Sequence, residues 1–177
     1  LCTADLKAMP FADSSFDVVH TSHAIEPNGG AENEIIREIF RVTNKLAILI
    51  EPSYELASPS QRERMNSLGY CKDLVNSAKR AGFINCLCLP LDESLNIDNP
   101  SAIYIFEKDA SNVQAAPVFC CPKYKCELIK FQNFYFSPKN LSAYPIINDT
   151  PCLQIENAII ASKVPDILMS DDHMSIL

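Results

Sequence analysis

Basic residues are scarce in this sequence of 177 residues. Lys and Arg number 15 against 22 Asp and Glu, which gives a formal net charge of -7. A broad phosphate-binding surface needs clustered Lys and Arg. The local basic cluster is Lys123, Lys125 and Lys130, which we interpret as the solvated face of a hairpin. We therefore expect no nucleic-acid partner.

Long apolar runs are also missing. No stretch approaches the roughly 20 apolar residues that a membrane-spanning helix needs, and the first residues have neither the basic start nor the apolar core of a signal peptide. The content of 47% hydrophobic and 21% charged residues is typical of a soluble globular protein. We therefore expect a cytoplasmic protein without a membrane partner.

Cysteine is the one abundant residue that needs an explanation. Eight cysteines would suggest a disulfide framework in a small secreted chain. Cys71, Cys86 and Cys88, however, lie in apolar, helix-like or strand-like surroundings. Buried, reduced thiols in a cytosolic protein are the simpler interpretation.

The first third of the sequence predicts a strand, a helix and a second strand. Phe16–His20 is an apolar, β-branched run, and apolar residues recur at helical spacing in Ala31–Val42. We expect Asn44 and Lys45 to end that helix, and Leu46–Ile50 is a continuous apolar run of strand length. Such a unit forms a right-handed parallel crossover.

Two further helices and two strands are predicted next. Ser58-Pro59 supplies an N-cap and a first-turn proline for a helix that continues to Leu68. A second helix, Lys72–Ala81, precedes Gly82. Two strands follow, Phe83–Leu89 and Ala102–Phe106, with no helix between them. A parallel pair would need a crossover, so we expect this pair to be antiparallel.

The motif in residues 4–19 resembles a known family. It reads Ala-Asp, then Met-Pro-Phe-Ala-Asp, then Ser-Phe-Asp-Val-Val. This motif is similar to a segment of class I S-adenosylmethionine-dependent methyltransferases of the ubiquinone and menaquinone biosynthesis type. In those enzymes the segment precedes and forms the fourth strand. The last strand of those enzymes inserts antiparallel at the end of the sheet. Their glycine-rich loop and the acidic residue after the second strand come earlier, and this sequence has neither. The resemblance implies an α/β fold, namely the C-terminal part of a Rossmann-like methyltransferase sheet.

The resemblance also implies cofactor contacts. Asp5 matches the acidic residue that accepts a hydrogen bond from the adenine amino group. The backbone amide of Leu6 matches the group that donates to a ring nitrogen of the adenine. Thr21 and Ser22 follow the first predicted strand, where the chain passes beside the methionine part of the cofactor. For Asp5, the alternative is a turn-forming aspartate.

Three further residues are candidates on the substrate side. His23 is a candidate general base, because imidazole titrates near neutrality; a structural or solvated histidine is the alternative. Glu26 and Glu51 match substrate-facing positions, although the segment from Glu26 to Gly30 departs from the commoner family ending, which has a second histidine. Gly29 and Gly30 permit close approach to a ligand or a tight turn, and we favour the turn. Glu51 is equally well explained as a capping or solvated carboxylate.

Residues 118–163 resemble a second family. Tyr144–Leu153, Tyr-Pro-Ile-Ile-Asn-Asp-Thr-Pro-Cys-Leu, is similar to the end of small zinc-ribbon-type methyltransferase activator subunits. Their metal pattern is incomplete here. Cys121 is present, Tyr124 stands at the next ligand position, and Ser137 and Asn140 occupy the second pair.

We therefore expect a small β-rich module without a metal. Cys126 could replace the second ligand at a longer spacing, and Cys121 with Cys126 would then be a fragment of a zinc site that needs outside ligands. Reduced thiols in a hairpin are the favoured alternative. The predicted core of the module consists of Phe119, Leu128, Phe134, Phe136, Tyr144, Ile146 and Leu153.

The predicted organisation is a methyltransferase-like part (1–108), a linker (109–117), the β-rich module (118–163) and a tail (164–177). The resemblance implies the C-terminal portion of an S-adenosylmethionine-dependent methyltransferase with a small-molecule acceptor, and we expect the chain alone to be inactive. The alternative is a non-catalytic scaffold. An unpaired edge of the first strand would favour self-association or a covering partner.

Overall fold

A computed structural model describes residues 1–91, 98–109 and 119–165. The chain divides into two units: Asp13–Ala116 is one, and Leu1–Ala12 joins Pro117–Leu177 in the other. The predicted linker, apart from residue 109, and the predicted tail from residue 166 on lie outside the described residues. Within the described part of the chain, no helix has the length and apolar character needed to cross a membrane.

The α/β unit begins with the predicted strand–helix–strand arrangement. Strand β1 is Phe16–Ser22, helix α1 is Glu32–Val42, and strand β2 is Thr43–Pro52. Strands β1 and β2 pair in parallel. The prediction of a parallel crossover is confirmed.

The helix end was predicted wrongly. Asn44 and Lys45 do not close α1, because β2 starts at Thr43, where the hydroxyl donates to the Ile39 carbonyl at 2.6 Å. The side-chain amide of Asn44 donates to the Asp17 carboxylate at 2.8 Å, and the Lys45 ammonium lies 3.2 Å from the same carboxylate. These polar side chains bind the start of the neighbouring strand, so they are compatible with strand structure.

The second half of the α/β unit contains two helices and two strands. These are α2 (Pro59–Ser67), α3 (Leu74–Ala81), β3 (Asn85–Pro90) and β4 (Ser101–Glu107). Ser58 and Gln61 form a reciprocal capping box at the start of α2. Gly82 ends α3 in a left-handed conformation with φ of 113°.

The sheet order is β1-β2-β4-β3. Strand β4 runs antiparallel to both neighbours, so that Ile105 pairs with Ile48 on one side and with Leu87 on the other. The predicted antiparallel hairpin is confirmed, and its last strand is inserted. One face of the sheet packs with α1 and α3 in a core that includes the following buried residues: Ile35, Ile39, Leu49, Leu74, Ala78, Tyr104 and Phe106.

The β-rich module consists of short antiparallel strands. They are β5 (Ile129–Lys130), β6 (Phe134–Ser137), β7 (Ser142–Ile147), β8 (Thr150–Pro151) and β9 (Ile159–Ile160), with a 3₁₀ turn at Ile155–Asn157. Of the predicted core, Leu128, Phe136, Tyr144 and Leu153 are buried. Phe119, Phe134 and Ile146 are only partly buried. Cys121 is fully buried and was missing from the predicted core.

The amino-terminal segment belongs to this module, although the sequence placed residues 1–12 with the methyltransferase-like part. Thr3 forms a parallel bridge with Cys152. Its amide donates to the Pro151 carbonyl at 3.0 Å, and its carbonyl accepts from the Leu153 amide at 3.0 Å. The backbone of the segment is thus held by the last strands of the module.

Candidate functional site

The candidate site of the α/β unit lies where β1 and β2 end. Parallel strands present their carboxyl ends at one edge of the sheet, and α/β proteins bind ligands at such edges. Strand β1 ends at Ser22, and β2 ends with Glu51 and Pro52. The edge therefore brings together five of the predicted site residues: Thr21, Ser22, His23, Glu26 and Glu51.

Glu51 is buried at this edge, with 1% of its surface exposed. One carboxylate oxygen accepts from the Thr21 hydroxyl at 2.9 Å and from the Ala24 amide at 3.1 Å. The other accepts from the amides of Ile25 and Glu26, each at 3.2 Å. The predicted substrate-side residue thus binds groups of its own chain, and these donors offset the cost of burying its charge.

His23 is exposed immediately after β1. Its backbone is left-handed, with φ of 50°, and its amide donates to the Ile50 carbonyl at 2.9 Å. The two ring nitrogens lie 3.4 Å from the Ser22 hydroxyl and 3.5 Å from the Ser101 hydroxyl. The ring is therefore oriented between β1 and β4 while it stays open to solvent.

Glu26 has an unusual carboxyl group. Burial, the largest influence, raises its pKa above the ordinary value; Glu51 nearby also raises it, whereas His23 and Arg64 lower it. Its Oε2 atom is buried and has no hydrogen-bond partner among the described residues. This carboxyl group is therefore the part of the site that is least satisfied by the protein itself.

Arg64, which acts on the pKa of Glu26, belongs to a polar group with Tyr70 and Asn99 that was not identified from the sequence. The Arg64 guanidinium donates to the side-chain oxygen Oδ1 of Asn99, and the side-chain Nδ2 of Asn99 donates to the Tyr70 hydroxyl at 3.3 Å. Within the described part of the chain, neither Glu26 nor Arg64 forms an ion pair shorter than 4.0 Å. No spacing in the sequence links these residues, because α2 and the approach to β4 bring them together.

Asp5 and Leu6, the predicted adenine contacts, belong to the other unit. The Asp5 carboxylate accepts from the Lys7 amide at 2.8 Å, and its carbonyl accepts from the Ala8 amide at 3.0 Å. The carboxylate and the carbonyl of Asp5 therefore both take part in a local turn. Asp5 and the carboxyl end of β1 thus belong to different units of the structure.

Two matching turns occupy the positions of the incomplete metal pattern. Residues 121–125 read Cys-Pro-Lys-Tyr-Lys, residues 137–141 read Ser-Pro-Lys-Asn-Leu, and each ends on a residue with φ of 54°. The Lys123 and Lys139 ammonium groups lie 5.3 and 5.2 Å from the centroid of the Tyr124 ring. The shared pattern of Pro, Lys and a left-handed residue was not among the features predicted from the sequence.

The first residues of these turns take part in a polar cluster. The Cys121 sulfur lies 3.6 Å from the Tyr144 hydroxyl, and the Cys126 sulfur lies 3.6 Å from the Ser137 hydroxyl. Burial alone would raise the pKa of the Cys121 thiol, but hydrogen bonds from Ser137, Tyr144 and two backbone amides outweigh it and lower the pKa. Nowhere in residues 1–91, 98–109 and 119–165 do three His, Cys, Asp or Glu residues form a group that could hold a metal.

Neither a family model nor a curated protein matches the sequence. Three solved structures of methyltransferases are similar in part. The first, a possible histamine N-methyltransferase from Thermotoga maritima, is 15% identical with a TM-score of 0.46 over 59% of this chain and 61% of its own.

The second, an S-adenosylmethionine-dependent methyltransferase from Methanosarcina mazei, is 17% identical with a TM-score of 0.46 over 60% of this chain and 66% of its own. The third, a phosphoethanolamine N-methyltransferase from Haemonchus contortus, is 17% identical with a TM-score of 0.43 over 60% and 36%. The chain spans less than two thirds of the length of each of these proteins. At this similarity their activities do not transfer to it.

Proposed function

We propose that this chain is the C-terminal portion of an S-adenosylmethionine-dependent methyltransferase that acts on a small molecule. The sheet order carries this proposal. An antiparallel β4 lies between two strands, β2 and β3, that run in the same direction. This is the sheet end that the resemblance of the sequence implies, and it continues from the parallel pair β1 and β2.

The residues at the end of β1 fit a ligand in different ways. Ser22 and His23 are exposed at the carboxyl edge. The Thr21 hydroxyl donates its proton to Glu51, so it could not at the same time donate to a cofactor. For Asp5 and Leu6 the proposal keeps the adenine contacts that the resemblance implies. The cofactor, when bound, supplies a methyl group on a sulfonium centre.

The acceptor side of the proposal rests on Glu26 and His23. A carboxyl group with a raised pKa and an imidazole are both suited to hold or receive the proton of a methyl acceptor. Arg64 adds a positive charge close to Glu26. These groups favour a small polar acceptor, in agreement with the acidic character of the whole chain, which disfavours nucleic acid.

Calorimetry with S-adenosylhomocysteine tests the proposal. We expect the protein expressed from its complete coding sequence to bind with micromolar affinity, and the 177-residue chain to bind weakly or not at all, because it lacks the glycine-rich loop. Asp5→Asn replaces an oxygen acceptor by an amide and should weaken binding by about 10-fold.

Asp13→Asn is the matched control, because Asp13 lies in the same motif and its exposed carboxylate pairs with Arg41. We expect its affinity to equal that of the unsubstituted protein. Absence of binding by the protein from the complete coding sequence would contradict the proposal and favour the non-catalytic scaffold. Micromolar binding by the 177-residue chain would contradict the expectation that this chain is inactive alone.

A further inference from the structure

Three successive backbone amides converge on one buried carboxylate. The amides of Ala24, Ile25 and Glu26 and the Thr21 hydroxyl all donate to Glu51 at 2.9 to 3.2 Å. Successive amides of this kind form a concave anion-binding nest. Here the nest is filled by a side chain from the neighbouring strand, so β2 determines the conformation of the loop that follows β1.

A buried carboxylate at the end of a strand needs an explanation, because burying its charge is unfavourable in free energy. Removing its charge from water is unfavourable unless well-placed donors replace the lost water. An apolar residue at this position would avoid that cost and would leave three loop amides without an acceptor. The carboxylate is therefore explained by the conformation of the loop, which cannot satisfy these amides by itself.

The same loop is held from a second side. The Glu26 carbonyl accepts from the Cys71 amide at 2.9 Å, and the Ile25 carbonyl accepts from the Cys71 thiol at 3.1 Å. His23, at the start of the loop, is kept in a left-handed conformation that non-glycine residues rarely adopt. These contacts fix the backbone on both sides of the two candidate functional side chains.

We propose that Glu51 is a positioning residue whose carboxylate holds residues 23–26 so that His23 and Glu26 stand in a fixed orientation at the end of β1. The catalytic meaning of this role rests on the proposed methyltransferase function. The positioning itself does not, because the contacts lie entirely within the α/β unit. Glu51 contacts the loop and is not itself a catalytic residue.

Amide hydrogen exchange in the 177-residue chain tests the positioning. Glu51→Gln keeps the shape but replaces one acceptor oxygen by an amide nitrogen, which faces backbone donors. We expect the amides of Ala24, Ile25 and Glu26 to exchange at least about 10-fold faster, with smaller changes in the amides of β2 and β4. Glu63→Gln is the matched control, because Glu63 is exposed on α2 and its substitution makes the same change of carboxylate to amide away from the loop.

The orientation of His23 gives a readout that a general loss of stability would not change. In the unsubstituted protein we expect nuclear Overhauser contacts between the His23 ring and Ser101, since the ring nitrogen lies 3.5 Å from the Ser101 hydroxyl. In Glu51→Gln these contacts should be lost in the folded protein. A variant that is only less stable would retain them.

Thr21→Val provides a second variant in case Glu51→Gln does not fold. It removes one donor to Glu51, and we expect a smaller increase in the exchange of the same three amides. Unchanged exchange in the variants that fold, or persistent His23 contacts in Glu51→Gln, would overturn the proposal. Failure to bind S-adenosylhomocysteine would count against the methyltransferase function and leave the exchange result intact.

Discussion

At the scale of single residues, two neighbouring carboxylates differ in how far the protein supplies them with hydrogen-bond donors. Glu51 receives four hydrogen bonds from its own chain. Glu26 has a buried oxygen for which the described residues provide no donor, and its pKa is raised, first of all by burial. A group that the fold leaves unsatisfied costs stability, which is a common property of functional sites.

Replacing Glu26 by Gln should stabilise the protein in a pH-dependent manner. The pKa of Glu26 is higher in the folded protein than in the unfolded chain. Between these two pKa values the native protein binds more protons than the unfolded chain, so the free energy of unfolding falls as the pH rises through this interval. Glu26→Gln removes this decrease in the free energy of unfolding, because the amide does not ionise. We expect a gain of at most about 0.5 kcal/mol at pH 8, since partial exposure screens the charge, and a smaller gain at pH 4.

Urea denaturation at the two pH values measures this difference. Glu34→Gln, an exposed substitution in α1, is the control and should show no such dependence on pH. An equal effect of Glu26→Gln at both values, or destabilisation at pH 8, would show that the Glu26 carboxylate is satisfied after all.

At the scale of elements, the turn between β1 and α1 depends on two glycines for different reasons. A Cβ atom on Gly29 would clash with the Gly69 carbonyl oxygen, whereas no atom of the described residues lies within 4 Å of one on Gly30. Gly30 instead has φ of 92°. The Gly29 amide also donates to the Gly69 carbonyl at 2.9 Å. The close backbone approach that the sequence left open is therefore to the chain itself.

Alanine at these two positions should give different results. Gly30→Ala costs about 1 to 2 kcal/mol of unfolding free energy, since an L-residue is strained at this φ. Gly29→Ala should cost more, because backbone atoms must move apart, and it should also speed the exchange of the Cys71 amide, which donates to Glu26 nearby. Denaturation and hydrogen exchange measure both effects. A smaller cost for Gly29→Ala than for Gly30→Ala would contradict this explanation.

The elements that the sequence predicted are those whose signals are local. Helix α1 follows from Ile35, Ile36 and Ile39 at helical spacing, and β2 from a continuous apolar run. The start of β2 was missed because Asn44 and Lys45 are polar, and only their contacts with Asp17 on β1 explain them as strand residues. The burial of Glu51 was missed for the same reason, since its donors lie about 25 to 30 residues earlier in the chain.

At the scale of the whole molecule, the chain is not divided in sequence order. Residues 1–12 carry part of a motif that continues into β1, yet they join the β-rich module. Thr3 bonds to residues near position 152, and the Pro10 carbonyl accepts from the Cys120 amide at 2.9 Å. Contacts between positions so far apart leave no periodic signal, so the sequence could not predict this arrangement.

Removing residues 1–12 should therefore destabilise the β-rich module. The deletion takes away backbone bonds to Pro151, Leu153 and Cys120 and the buried side chain of Met9. At about 1 kcal/mol for each bond and about 2 kcal/mol for the side chain, the loss is roughly 5 kcal/mol, enough to unfold a small module. Nuclear magnetic resonance signals of the buried Tyr144 and Leu153 report its folding. Lys7→Ala, at an exposed position of the same segment, should leave these signals unchanged, and native signals in the shortened chain would show that the module folds without the segment.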